Sequence, residues 1–316
     1  MSVARILGFT GRMMIRAGVL ILLFVAFQLW GTGLHTSRAQ DDLEKQFRTK
    51  QDELGERSSE SSDTTTSSAT ASTAPPVTAS PDFPTPKPGE PIGLISIPDI
   101  GADFFFVEGV DLRWLRDGPG HFPQTPLPGQ PGNAALAGHR TTFKAPFNRL
   151  DELDPGDLIF VETLQGRFTY EVMPQPAGEG EPPKGHYIVG PRQTEILDDK
   201  GDNRLTLMAC HPKYSAAQRI VVEAKLVSNP APATPLPPTT DVVELPADDL
   251  AGGRDAARVP AALWSLGAVA VWFLAWFAGR RRPGWRWPAY AAGLPLFALA
   301  LFEAFDHINQ LLPGAY

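Results

Sequence analysis

The chain predicts one small all-β domain of seven or eight short strands, held between membrane-spanning helices, and three observations lead there. Between Ile92 and Ser228 the apolar residues come in short runs bounded by Pro, Gly and Asp, as strands joined by turns do. The segments on either side are rich in Pro, Ser, Thr and acids and carry few large apolar residues, so they cannot bury enough surface to offset their ordering entropy. Beyond those segments lie apolar runs of roughly the 20 residues a bilayer requires. The 316 residues would allow two ordinary domains. The 32 prolines, about twice the usual share, concentrate in the two flanking linkers and leave room for one.

Composition excludes several classes of function. A net charge of −7 without a basic stripe makes nucleic acid an unlikely partner. One cysteine rules out a disulfide framework and a cysteine-based zinc site. No acidic cluster has the spacing of a calcium loop, so neither metal nor cofactor is expected.

Residues 1–14 read as a cytoplasmic N-terminus carrying Arg5 and Arg12, and 15–34 as the first transmembrane helix. A cleaved signal peptide competes, because Ser37-Arg38-Ala39 resembles a small-x-small site. Arg38 within that site and the length of the apolar run favour an anchor. Residues 35–91 read as a disordered extracytoplasmic tether, within which Asp41 to Glu56 can continue as a short charged helix.

In the domain, 92–228, strands are expected at Ile92–Ile97, Phe104–Val107, Asn133–Gly138, Asp157–Thr163, Arg167–Val172, Tyr187–Val189, Leu205–Cys210 and Ile220–Leu226. Leu112–Leu115 suggests one helical turn, and Phe147–Leu153 a short helix. A Pro-rich linker, 229–258, follows. The uncharged stretch 259–279 extends about 31 Å as a helix, close to the hydrocarbon thickness. An Arg-rich loop, 280–286, leads into a last span, 287–312. Arginines on that loop keep it cytoplasmic, which agrees with an inside N-terminus and places the domain outside. The bilayer is therefore one partner.

The chemistry gathers at Leu205–Arg219. Cys210 follows an alternating strand, and Arg219 heads the next, so a thiol and a guanidinium can meet over one groove. A cysteine is mostly protonated at neutral pH and needs a cation or base nearby. Histidine is the usual proton shuttle, and a guanidinium offers several donors to an oxyanion. Of the six histidines, His35 and His307 flank membrane segments, and His211 adjoins Cys210 on a strand whose neighbours face opposite ways. His139, at the end of the Asn133–Gly138 strand, is best placed. Each of these residues alone is more often structural than catalytic; their combination points to acyl transfer through a thioester.

Three segments carry a resemblance. Ala135-Leu136-Ala137-Gly138-His139-Arg140-Thr141-Thr142, Pro146-Phe147-Asn148-Arg149-Leu150, and Thr206-Leu207-Met208-Ala209-Cys210 with Arg219 resemble, in order, the signature segments of sortases, most closely class E. The resemblance covers about Ile92 to Val227. It implies an eight-stranded β-barrel and cysteine transpeptidation, cutting a C-terminal sorting signal between Thr and Gly. It gives Cys210 the role of nucleophile, His139 general acid/base, and Arg219 oxyanion and signal binding. Thr141 and Ala209, beside the first two, become substrate-binding candidates. Ala209 stands where the family usually has threonine, which would remove a hydroxyl from the site.

The implied partners are surface proteins bearing a Leu-Ala-x-Thr-Gly or Leu-Pro-x-Thr-Gly signal and a cell-wall amine. Signal binding would fall on the Pro174–Lys184 loop. The Cys setting does not fit an L,D-transpeptidase, which typically has Ser-x-Gly-Cys. Two further alternatives are a pilin-polymerising sortase, with Asp82-Phe83-Pro84 as a faint lid candidate, and a non-catalytic surface module with an incidental core thiol.

Overall fold

The computed structural model describes residues 3–61, 85–176, 180–236, 257–281, 284 and 286–311. They fall into two compact units, one of Met1–Gly33 with Ala251–Gly314 and one spanning Leu34–Leu250. The helices are α1 (Val3–Ala26), α2 (Thr32–Ser61), α3 (Leu112–Leu115), α4 (Arg258–Arg281) and α5 (Arg286–Leu311). The strands are β1 (Pro91–Ile97), β2 (Ala102–Glu108), β3 (Gly120–His121), β4 (Asn133–Ala137), β5 (Leu158–Thr163), β6 (Gly166–Val172), β7 (Tyr187–Val189), β8 (Arg204–His211) and β9 (Gln218–Leu226).

Eight strands close a ring in the order β6-β5-β1-β2-β3-β4-β8-β9, with β9 returning to β6. Closure is possible because β9 is shared. Its Ala224–Leu226 half pairs with β6, and its Arg219–Val221 half pairs with β7, which lies outside the ring. The β2–β3 and β4–β8 pairs are parallel and the others antiparallel, so the barrel is mixed. Alternation along each strand sorts the side chains. Ile95, Ile97, Phe106, Leu136, Leu207, Ala209, Ile220 and Val222 fill the interior. Ala135, Ala137, Met208 and Val221 pack on the outer face with Leu115 and Phe122. Strand β4 is buried on both sides, which explains its run of alanines.

The sequence missed β3, too short to show a period. It also expected a helix at Phe147–Leu153, where there is only a 3-10 turn at Leu150–Glu152. The single turn α3 forms as expected, with Asp111 accepting from the Arg113 N–H at 2.8 Å as its N-cap.

The larger correction concerns the start of the expected tether 35–91, where the charged helix expected at Asp41–Glu56 forms but runs longer; 62–84 lie outside the described residues. Helix α2 continues to Ser61, and from Leu34 onward it packs on the barrel rather than trailing as a tether. Leu43 and Phe47 are buried with Phe105 and Val107. The Gln40 side chain joins the edge of β2 as a strand would. Its amide N–H donates to the Phe105 carbonyl at 2.8 Å, and its oxygen accepts from the Phe105 N–H at 2.8 Å. Arg48 pairs with Glu162 at 2.7 Å, and Lys50 with Glu90 at 2.8 Å. Composition hid this because two buried apolar residues suffice when the polar ones find fixed partners. The lid candidate Asp82-Phe83-Pro84 lies outside the described residues. After β9 the chain returns to the barrel, with the Ala231 N–H donating to the Gly129 carbonyl at 2.8 Å.

In the other unit, the apolar stretch that begins at residue 15 is helical throughout but not regular. A π-helical turn, Phe27–Gly31, separates α1 from α2. Gly31 is required there, since a Cβ would stand 2.5 Å from the Phe27 ring. That ring packs edge-on against Phe302 at 5.0 Å, and Phe24 against Phe305 at 5.2 Å. Among the described residues two helices are long and apolar enough to cross a membrane, Arg258–Arg281 and Trp287–Asn309. At the end of α4, Arg280 and Arg281 cover the rings of Trp276 and Phe277 at 4.7 and 4.5 Å.

Candidate active site

The antiparallel ladder of β8 and β9 sets Cys210 directly opposite Arg219. Cross-strand partners share a face, so thiol and guanidinium emerge together on the outer side of the barrel. The parallel β4–β8 pair ends at Ala137 opposite Met208, and the Gly138 N–H donates to the Met208 carbonyl at 3.0 Å. His139 and Cys210 each lie two residues beyond that last pair. The two candidates therefore follow the ends of neighbouring parallel strands. Gly138 must be glycine, because a Cβ would stand 2.5 Å from the Phe147 ring.

Cys210 is a free thiol of intermediate exposure. Burial pushes its pKa above the ordinary thiol value, and the positive charges of Arg219 and Arg140 pull the other way without prevailing. His139 is buried, and its Nε2 has no hydrogen-bond partner. Burial, then the charge of Arg116, pushes its pKa down to about 4. At neutral pH both the thiol and the imidazole are thus uncharged, and the imidazole keeps an unpartnered nitrogen. Arg219 is buried, and its Nη1 donates to the carbonyls of Ala216 and Gln218 at 2.8 and 2.9 Å. Those bonds lock the loop between the two strands and fix the guanidinium plane. Such a set can move a proton, present a sulfur nucleophile and receive an oxyanion.

The other candidates divide. Thr141 lies half-buried in the loop after His139. Ala209 is a correction: alternation turns it away from Cys210, and its methyl lies in the barrel interior with Leu207 and Ile220. A hydroxyl missing at this position changes the core rather than the groove. Of the Pro174–Lys184 loop, Gln175 bridges to Lys184, and 177–179 lie outside the described residues. Among the described residues no group of three or more His, Cys, Asp or Glu side chains is placed to hold a metal ion.

Four residues around the site were given no role by the sequence reading. Phe143 stacks on His139 with ring centroids 4.9 Å apart. It begins three successive residues with left-handed φ, 53° at Phe143, 60° at Lys144 and 47° at Ala145. Each non-glycine residue in that region costs about 1 kcal/mol or more, so the turn is held against local preference where it supports the imidazole. The Arg116 guanidinium lies 5.6 Å from the Phe143 ring centroid. His35, on α2, approaches the same ring at 6.5 Å while bonding Asp117 at 2.8 Å. Arg140 is fully buried against the peptide of Cys210. Only Arg140 had a sequence signal, its adjacency to His139; the others meet the site through tertiary packing.

Comparison with known proteins bears on the family. A family profile described as the sortase domain matches residues 95–227. The chain is similar to sortase SrtE1 of Streptomyces coelicolor, with 29% identity over 69% of this chain and 56% of the relative. It thus spans little more than half of that protein. Sortase D of Bacillus subtilis is 31% identical over 45% of this chain and 67% of the relative. Among solved structures, the SrtF sortase of Corynebacterium diphtheriae shares 32% identity, covering 48% of this chain and 91% of that one with a TM-score of 0.42.

Proposed function

This chain belongs to the sortase family of cysteine transpeptidases, and from that premise we propose that it cleaves a C-terminal sorting signal between Thr and Gly and joins the acyl part to a cell-wall amine. The observation that carries this reading is the register of Cys210 with Arg219 on one face, with His139 continuing the adjacent parallel pair. An incidental core thiol would have no such company.

In the first half-reaction His139 takes the proton from the Cys210 sulfur, and the thiolate attacks the threonine carbonyl carbon. The carbonyl electron pair moves to oxygen, where Arg219 donates hydrogen bonds. Collapse breaks the Thr–Gly bond, and the imidazolium returns its proton to the leaving amine. In the second half an incoming amine attacks the thioester, His139 removes its proton, and the thiol is restored. The neutral resting pair means the reactive ion pair is a minor form until substrate arrives. That suits a site that must not react with bulk electrophiles.

Thr141, on the His139 loop, is proposed to line the signal groove. The preferred signal is Leu-Ala-x-Thr-Gly or Leu-Pro-x-Thr-Gly, on the strength of the similarity to class E proteins. Helices α4 and α5 would anchor the protein, with Arg280 to Arg286 inside and the barrel outside. The N-terminal helix would be a third span, its end inside. The substrates would then be surface proteins already translocated.

The test uses the full-length protein in detergent with a sorting-signal peptide and a primary amine. The expected product is the peptide truncated at threonine and extended by the amine, identified by mass. Products unchanged by Cys210→Ala would sink the proposal.

A further inference from the structure

The catalytic candidates sit on two different segments, and one side chain clasps them together. Arg140 follows His139 and is 1% exposed, among the largest fully buried side chains of the protein. Its Nε donates to the Asn148 carbonyl at 2.6 Å, and the Asn148 amide donates back to the Arg140 carbonyl at 2.6 Å. Its Nη2 pairs with Asp151 at 2.7 Å. Its Nη1 reaches the carbonyl of Cys210 at 3.4 Å. One planar guanidinium therefore ties the loop bearing His139, the turn at Leu150–Glu152 and the peptide of the candidate nucleophile.

Burying a guanidinium is costly unless its donors are satisfied, and three rigid attachments satisfy this one. A merely structural cation could sit anywhere in the barrel. This one lies against the peptide of Cys210, while its counter-ion Asp151 is 41% exposed and screened by water on one side. Lys213 lies 3.9 Å from the same carboxylate. The positive charge is thus poorly cancelled on the side that faces Cys210.

We propose that Arg140 is a positioning residue for the reaction. It holds the peptide of Cys210 at a fixed distance from the His139 loop and places a second stationary cation, besides Arg219, against the developing thiolate. This rests on Cys210 being the nucleophile. The charged and titratable groups around it are Arg219 on β9, Arg140 and His139 on the loop, and, beyond Arg140, Asp151, Lys213, His186 and His211. Both Arg140 and Arg219 draw the thiol pKa down against burial.

Because Cys210 is the sole cysteine of the chain, alkylation by iodoacetamide followed by intact mass reads this thiol alone. Full-length protein in detergent is compared as wild type, Arg140→Lys and Arg140→Met, across pH, alongside kcat and KM for the sorting-signal peptide. Arg140→Met is expected to move the alkylation midpoint to higher pH and to lower kcat about tenfold or more with KM little changed. Arg140→Lys, which keeps the charge but not the planar fork, restores the midpoint toward wild type with kcat still reduced. A folded Arg140→Met protein with the wild-type midpoint and kcat overturns the proposal.

Should Arg140→Met not fold, Asp151→Asn puts the same question from the counter-ion side. Its midpoint falls below wild type if the Arg140 charge acts on the thiol, and an unchanged midpoint overturns the proposal. Alkylation does not depend on peptide turnover. A wild-type protein that cleaves no peptide therefore contradicts the proposed function, while its alkylation profile still tests Arg140.

Discussion

The barrel carries two seams outside its core, and they are finished differently. Over β2 and β5, α2 closes the surface: Leu43 and Phe47 fill it, Gln40 completes the strand edge, and Arg48 pairs with Glu162. Between β4, β8 and β9 the surface stays open. There Cys210 is only partly covered, His139 keeps an unpartnered buried nitrogen, and Phe143 is held in a disfavoured backbone region. Buried polar atoms are normally satisfied. A seam where they are satisfied is finished as structure, whereas one where they are not is waiting for a partner. The contrast locates function more securely than exposure alone.

The strongest way to break the contrast is at the open seam. Cys210→Ala should abolish acyl transfer, a loss on the order of 10⁴-fold or more, and Arg219→Ala should cost about 10²–10³-fold. Circular dichroism should show both proteins folded, because neither side chain fills the barrel interior. Peptide turnover by mass spectrometry reads the loss.

The closed seam should answer in stability instead. Phe47→Ala empties a fully buried site and should cost about 3–5 kcal/mol of α2 docking. Hydrogen exchange would report faster exchange over 34–61, while iodoacetamide still modifies Cys210 at the wild-type rate. Loss of thiol reactivity in this variant would mean the two seams are not separable.

A smaller effect sharpens the account of His139. Folding holds it neutral down to about pH 4, whereas an unfolded chain protonates it near 6.5. Below that higher value the unfolded state binds the extra proton, so stability falls as pH drops and levels off beneath about 4. From pH 7 to pH 5 the loss is about 2 kcal/mol. His139→Gln should lack this component, visible as a smaller difference between the two melting temperatures. The thiol runs the other way: its alkylation should have a midpoint above that of an ordinary exposed thiol, since burial raises it.

The smallest effect separates the faces of β8. Ala209→Thr adds atoms to the interior and should cost about 1–3 kcal/mol by overpacking. Turnover should not rise, as it would if a hydroxyl there reached substrate.

Much of the open seam was legible before the structure, because strands announce themselves by alternation and β8 and β9 are adjacent in sequence. Cys210, Arg219 and His139 could be named from that. Ala209 was misassigned because nearness to the nucleophile in sequence says nothing about face, and a strand reverses face at each step. A charged helix at Asp41–Glu56 was legible, but its docking was not, because its polar residues gain their worth only from particular partners, Phe105, Asp117 and Glu162, contributed by distant strands and loops. Arg116 and Phe143 reach His139 by tertiary packing for the same reason.

The most direct test of the central claim is a covalent one. Full-length protein is mixed with a sorting-signal peptide without amine, quenched in acid within a single turnover, and weighed intact. The account predicts added mass equal to the peptide acyl portion ending at threonine, located on Cys210, discharged by added amine and missing from Cys210→Ala. Undiminished cleavage in the Cys210→Ala protein, or an adduct on any other residue, would contradict it.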